Sequence, residues 1–112
     1  MDLYLELQEK IEQLNQSIED AKKLGLNYND SEYKYKVQLR IEALKLKNEK
    51  QMPVTLINQI IYGVPQVAEL RLERDKAETL YNSAKDKINV LKLQIRVLDA
   101  QLQREYNNKY GV

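Results

Sequence analysis

The chain has 112 residues, and its 18 basic and 17 acidic side chains give a formal net charge of +1. It contains no cysteine and no histidine, which excludes disulfides, thiolate metal ligands and histidine-based acid–base catalysis. The near-neutral charge gives no strong attraction to nucleic acid, and no apolar run approaches the roughly 18 residues of a membrane-spanning helix. We therefore expect one soluble, cytoplasmic, non-enzymatic domain with no cofactor, no metal and no membrane partner.

The first predicted helix covers residues 2–24, where apolar side chains recur every three or four positions. The members of this apolar stripe are Tyr4, Leu7, Ile11, Leu14, Ile18 and Ala21. Gly25 follows the last of them, and glycine most easily adopts the left-handed conformation that ends many helices. We therefore expect the helix to end there and the segment LNYND to form a turn.

A second helix is predicted over residues 31–51, with Asp30 or Ser31 as its N-cap. Within it, apolar and polar residues alternate strictly over residues 33–41, which is also typical of a half-buried strand. We favour the helix because good helix formers follow this stretch and because a lone strand would have no partner.

A short apolar elbow is predicted between the second helix and the last one. Pro53 ends the second helix, and a short helix over residues 55–62 begins at a Thr55 cap and ends at Gly63. Pro65 suits the first turn of the next helix, where its missing amide proton costs nothing.

The last predicted helix is long, covers residues 65–108 and carries a heptad seam whose members are alternately three and four residues apart. The seam consists of Val67, Leu70, Arg74, Ala77, Tyr81, Ala84, Ile88, Leu91, Ile95, Leu98, Leu102 and Glu105. A helix of this size would be roughly 66 Å long, so the seam predicts either a core or an oligomer interface.

The apolar arc of this helix broadens after Lys87, because Val90, Leu93 and Val97 add to the seam. Such a broad face favours more than one neighbour. The predicted fold is all-α: a bundle in which two N-terminal helices and the elbow pack on one long coiled-coil-like helix. A homo-oligomer that forms through the long helix is expected.

One candidate surface for a protein partner combines the elbow with nearby arginines. Its members are Leu56, Ile57, Ile60, Ile61, Tyr62, Arg71 and Arg74. These apolar side chains are too many for an exposed linker, so we expect them to pack on the bundle or on a partner. Arg74, on the seam, is expected to extend its charged end into solvent near the exposed start of the helix or to pair with an acid of the first helix. The alternative is that it sets the register of an oligomer.

A second candidate surface combines basic and aromatic residues. Its members are Tyr33, Lys34, Tyr35, Lys36, Arg40, Lys45 and Lys47. Such residues can hold phosphates and stack bases, and they can equally face an acidic helix or a protein. Nucleic acid is therefore a possible but less favoured partner.

Residues 54–108 contain the segment VPQVAEL at the start of the long helix, the segment INVLKLQIRVL, and the segment QREY near the end of that helix. This part of the chain resembles small uncharacterised helical proteins encoded in the early or accessory regions of phages and prophages of Gram-positive bacteria. The resemblance implies a viral accessory context in a bacterial host and transfers no site residues.

The function expected from these observations is that of a non-enzymatic accessory protein. It would self-associate through the long helix and bind or inhibit a host or phage protein, for example a host defence factor. The alternative is a nucleic-acid-binding accessory factor of phage replication or recombination.

Overall fold

The structure is a computed structural model that describes residues 2–111. Helix α1 spans Leu3–Glu49, helix α2 spans Val54–Ile60 and continues into a 3₁₀ turn over Ile61–Gly63, and helix α3 spans Pro65–Tyr110. The all-α prediction is confirmed, since no strand occurs among these residues. None of the helices described here combines the length and apolarity needed to cross a bilayer.

The predicted break at Gly25 is wrong, because α1 continues through it as one helix. Gly25 serves close packing instead: a Cβ atom placed on it would lie 3.0 Å from Cε1 of Tyr81. The LNYND segment stays helical with its Asp30 carboxylate 3.1 Å from Nζ of Lys34, a favourable pairing one turn apart. The separate second helix, its cap and the strand alternative over 33–41 are therefore all wrong.

The chain divides into two compact units, and residues 2–23 with 82–111 form the first. Asp2 caps α1 by accepting a hydrogen bond from the Tyr4 amide at 2.9 Å. Leu3 shares a surface depression with Glu105, so the two helical segments of this unit run antiparallel. The unit buries Leu91 and Leu98 of α3.

The second unit comprises residues 24–81 and holds the best-packed core. Four buried residues, one from each long helix and two from the elbow between them, form its centre: Tyr35, Ile57, Ile61 and Val67. Half-buried side chains pack around them: Leu39, Ala43, Leu46, Met52, Val64 and Leu70.

The elbow forms where the prolines predict it. After α1 ends, Gln51 takes a left-handed φ of 49° and the Met52 amide donates to the Leu46 carbonyl at 3.2 Å. The Pro53 carbonyl then accepts the amides of Leu56 and Ile57. Pro53 therefore occupies the N-cap position, and the predicted Thr55 cap is wrong.

The heptad seam of α3 faces the inside of each unit, since every seam position except Glu105 is buried or half-buried. The apolar stripe predicted for the first helix is only partly buried, in contrast to the seam of α3. Leu7, Leu14 and Ala21 face inward, but Tyr4 and two isoleucines are exposed. The inward positions between them belong to Lys10 and Ser17, so the pairing of α1 uses only one edge of its apolar stripe.

Candidate interaction surfaces

Arg74 joins α3 to α1 within the second unit. Its guanidinium carbon lies 4.6 Å from the centre of the Tyr35 ring, and its side chain is 20% exposed. Nη2 lies 2.8 Å from Oδ1 of Asp75, while Nη1 lies 3.9 Å from Oε1 of Glu32 on α1. A half-buried arginine that stacks on an aromatic ring and lies near an acid on the facing helix links the two helices at this point.

The same contact network extends one turn along α1. The rings of Tyr28 and Tyr81 stack with their centres 6.2 Å apart. The pKa of Tyr28 is raised, first by its hydrogen bond to the Glu32 carboxylate and then by burial. That hydrogen bond also lowers the pKa of Glu32, and Asp75 raises the pKa of Arg74.

The directions of these three pKa shifts leave each group in a single charge state at neutral pH. Glu32 with a lowered pKa and Arg74 with a raised one both remain charged at neutral pH, and Tyr28 with a raised pKa remains neutral. General acid–base catalysis works best with groups that titrate near the operating pH. The network around Arg74 is therefore suited to linking two helices.

The predicted partner surface at the elbow is split by the structure. Ile57 and Ile61 belong to the core, with 5% and 4% exposure, whereas Leu56 and Ile60 are 41% and 40% exposed. Tyr62 is also exposed and carries the Arg71 guanidinium 4.9 Å from its ring centre. Four apolar or aromatic side chains of the elbow face solvent, namely Val54, Leu56, Ile60 and Tyr62. Val54 lies outside the surface that the sequence predicts.

The predicted nucleic-acid surface is also divided. Tyr35 lies in the core under Arg74, so its ring has no free face for a base. Three of the lysines have acidic neighbours on α1: Lys34 with Asp30, Lys36 with Glu32 and Lys45 with Glu42. Tyr33, Arg40 and Lys47 remain exposed.

A shallow groove brings parts of both predicted surfaces together in the second unit. It lies between α1 and the elbow and has a volume of about 280 Å³. Its lining consists of Lys36, Leu39, Arg40, Ala43, Ile57, Asn58, Ile61 and Tyr62. The groove thus combines an apolar floor with basic edges.

Three further rows of apolar side chains face solvent. The outward row of α3 consists of Val90, Leu93 and Val97, each at least half exposed. On α1, the acidic-end stripe consists of Tyr4, Ile11 and Ile18, and the basic-end stripe consists of Tyr33, Val37, Ile41 and Leu44. The helical spacing of all three was visible in the sequence, but the side of each helix that faces solvent was not.

The described residues contain no group of three or more acidic side chains arranged to hold a metal ion. Comparison of the chain with protein-family models, curated proteins and solved structures finds no match.

Proposed function

We propose that this protein is a non-enzymatic accessory protein that acts by protein–protein interaction, self-associating through α3 and binding a host or phage protein. The observation that carries the proposal is the orientation of its apolar residues. Serine, glutamine, lysine and glutamate side chains take inward positions on α1, while isoleucines, leucines, valines and tyrosines of both long helices face solvent. Rows of exposed apolar residues are typical of interaction sites.

Self-association uses the outward row of α3 in this proposal. The heptad seam of α3 is covered by other residues of the same chain, so it is not available to a second copy. Val90, Leu93 and Val97 recur at helical spacing on a separate face. These side chains are 50–58% exposed, so burying each of them contributes less than the roughly 1.5–3 kcal/mol of a fully exposed valine or leucine, before the cost of ordering is counted.

The substitution Leu93→Glu tests this step. It places a charge in the centre of the outward row, so we expect the mass measured by light scattering after gel filtration to fall towards that of one chain. Gln94→Glu is the matched control, because it introduces the same charge at the neighbouring exposed position. Equal masses for the two variants and the wild type would refute a role for the outward row.

Binding of a second protein is assigned to the exposed side of the elbow. Its four side chains lie on a short, well-packed element, because the buried Ile57 and Ile61 anchor it to the core. A rigid apolar surface loses little conformational entropy on binding. In a phage or prophage setting, the partner would be a host or phage protein in the bacterial cytoplasm, such as a defence factor.

Affinity capture from a host lysate tests this assignment. A double variant that carries Leu56→Glu and Ile60→Glu should lose the captured partner. The control variant Gln59→Glu changes an exposed neighbour and should retain it. Retention of the same partner by both variants would place its binding site elsewhere.

The alternative function is nucleic-acid binding by an accessory factor of phage replication or recombination. Arg40 and Lys36 beside the exposed Tyr62 in the groove favour it, while the burial of Tyr35 weighs against it. Binding to DNA should then weaken steeply with salt and be lost on charge reversal of Lys34, Lys36 and Arg40. No binding at low salt would dismiss this alternative.

A further inference from the structure

The two stripes on α1 lie among opposite charges. Residues 2–20, around the acidic-end stripe, hold six acidic residues and one basic residue. Residues 33–51, around the basic-end stripe, hold six basic and two acidic residues. The exposed fractions are 41–55% in the first stripe and 40–69% in the second.

Helical geometry places the charges beside the apolar residues. At about 100° per residue, Lys34 and Lys45 lie on one side of the line through Val37 and Leu44, and Arg40 and Lys47 lie on the other. The basic-end stripe is thus an apolar row with a basic border on each side. By the same rule, Glu12 and Glu19 lie along one side of the acidic-end stripe.

We propose that the acidic-end stripe of one copy of this chain docks on the basic-end stripe of a second copy. The inference rests on the self-association in the proposed function, and it adds a second contact surface. Contact between the apolar side chains supplies the attraction. The charged residues beside the stripes select the partner stripe, because the acidic residues of two acidic-end stripes would repel each other.

The spacing of the stripes allows two apolar residues of one copy to meet two of the other. Tyr4 and Ile11 are seven residues apart, as are Val37 and Leu44. In an antiparallel pair, Ile11 therefore lies opposite Val37 when Tyr4 lies opposite Leu44. A parallel pair meets the same spacing when Tyr4 lies opposite Val37 and Ile11 lies opposite Leu44, so the charged borders and not the spacing select the partner stripe. Each copy carries one stripe of each kind, so every acidic-end stripe has a complementary stripe on another copy.

Charge exchange between two full-length variants tests the proposal. The first variant carries Arg40→Glu and Lys47→Glu, and the second carries Glu12→Lys and Glu19→Lys. Lys34 and Lys45 are left unchanged because each already lies beside an acid of α1. Every substituted position is exposed, so both variants should keep the helical circular dichroism of the wild type.

Each variant alone should self-associate at least about tenfold more weakly than the wild type at low salt, because borders of the same sign would meet. An equimolar mixture should recover association, since the two variants restore opposite borders. Fluorescence energy transfer between differently labelled variants measures this recovery. Wild-type association by both separate variants, or a mixture as weak as its components, would overturn the proposal.

A neutral substitution distinguishes this contact from the outward row of α3. Val37→Asn removes an apolar side chain from the basic-end stripe, and Gln16→Asn is its control at an exposed polar position of α1. Loss of association in Val37→Asn and not in Gln16→Asn supports the stripe contact. If Leu93→Glu abolishes association while Val37→Asn leaves it intact, the stripe contact fails and the self-association of the proposed function stands.

Discussion

Gly25 offers a sharp test of the packing between α1 and α3. In the interior of a helix, alanine is normally about 0.8–1 kcal/mol more favourable than glycine. At this position, however, the new Cβ atom would lie 3.0 Å from Cε1 and 3.1 Å from Cζ of Tyr81. The Tyr81 ring stacks on Tyr28, which limits how far it can move away.

The magnitude follows from two opposing contributions. Overpacking a well-packed site typically costs 1–3 kcal/mol, so the gain in helix propensity of about 1 kcal/mol leaves a net destabilisation of about 1 kcal/mol for Gly25→Ala. When Tyr81 is replaced by alanine the contact disappears, and the same substitution should stabilise the protein by about 1 kcal/mol. The expected coupling energy of the double-mutant cycle is therefore about 2 kcal/mol.

Urea unfolding followed by circular dichroism measures all four free energies of the cycle. Gly63→Ala is the control, because a Cβ atom there would meet nothing within 4 Å. A stabilisation of about 1 kcal/mol by Gly25→Ala in both backgrounds would refute the close packing of Gly25 on Tyr81.

The remaining predictions concern the core and the charged network of the second unit. Ile57→Ala should lower the free energy of unfolding by about 2–5 kcal/mol because it empties a buried site, whereas Ile60→Ala on the exposed side of the elbow should cost less than about 1 kcal/mol. Equal losses in urea unfolding would contradict the elbow orientation. Arg74→Ala should cost about 1–2 kcal/mol through lost stacking and ion pairing, and no measurable change would show that Arg74 does not stabilise the contact between the two helices. Because the pKa of Glu32 is lowered, its contribution is present above the ordinary glutamate value of about 4.3 and is lost as pH falls through the folded-state value. Glu32→Gln should therefore lose less stability than the wild type between about pH 5 and pH 3, as measured by thermal unfolding. A loss as large as in the wild type would contradict the lowered pKa of Glu32.

Local periodicity predicted the helical content, the elbow and the long C-terminal helix. Pro65 begins α3 as expected, and the heptad seam lies on the inward face, because both depend on the spacing of residues close in sequence. The division of the elbow into buried Ile57 and Ile61 and exposed Leu56 and Ile60 was accessible by the same rule, since each pair is four residues apart.

The predicted break in the first long helix failed for a non-local reason. A glycine can end a helix or can allow another helix to approach, and the sequence around Gly25 fits both. In the structure, Gly25 lies within the helix and allows the close approach of the Tyr81 ring on α3, a residue that is far away in sequence.

The candidate surfaces were predictable only in part, because spacing does not determine which edge of a wide apolar stripe becomes buried. Ile11 and Ile18 match a helical core pattern as well as Leu14 does, yet Ser17 occupies the inward position beside them. Tyr35 was similarly placed with exposed lysines, although Arg74 and the elbow cover it.

The mass of the wild-type protein in solution, measured by light scattering after gel filtration over a range of concentrations, tests the proposed function most directly. A single chain has a mass of 13.2 kDa. Self-association through exposed apolar surfaces predicts a mass of two or more chains that decreases on dilution or in the Leu93→Glu variant. A constant 13.2 kDa up to high micromolar concentration would contradict it.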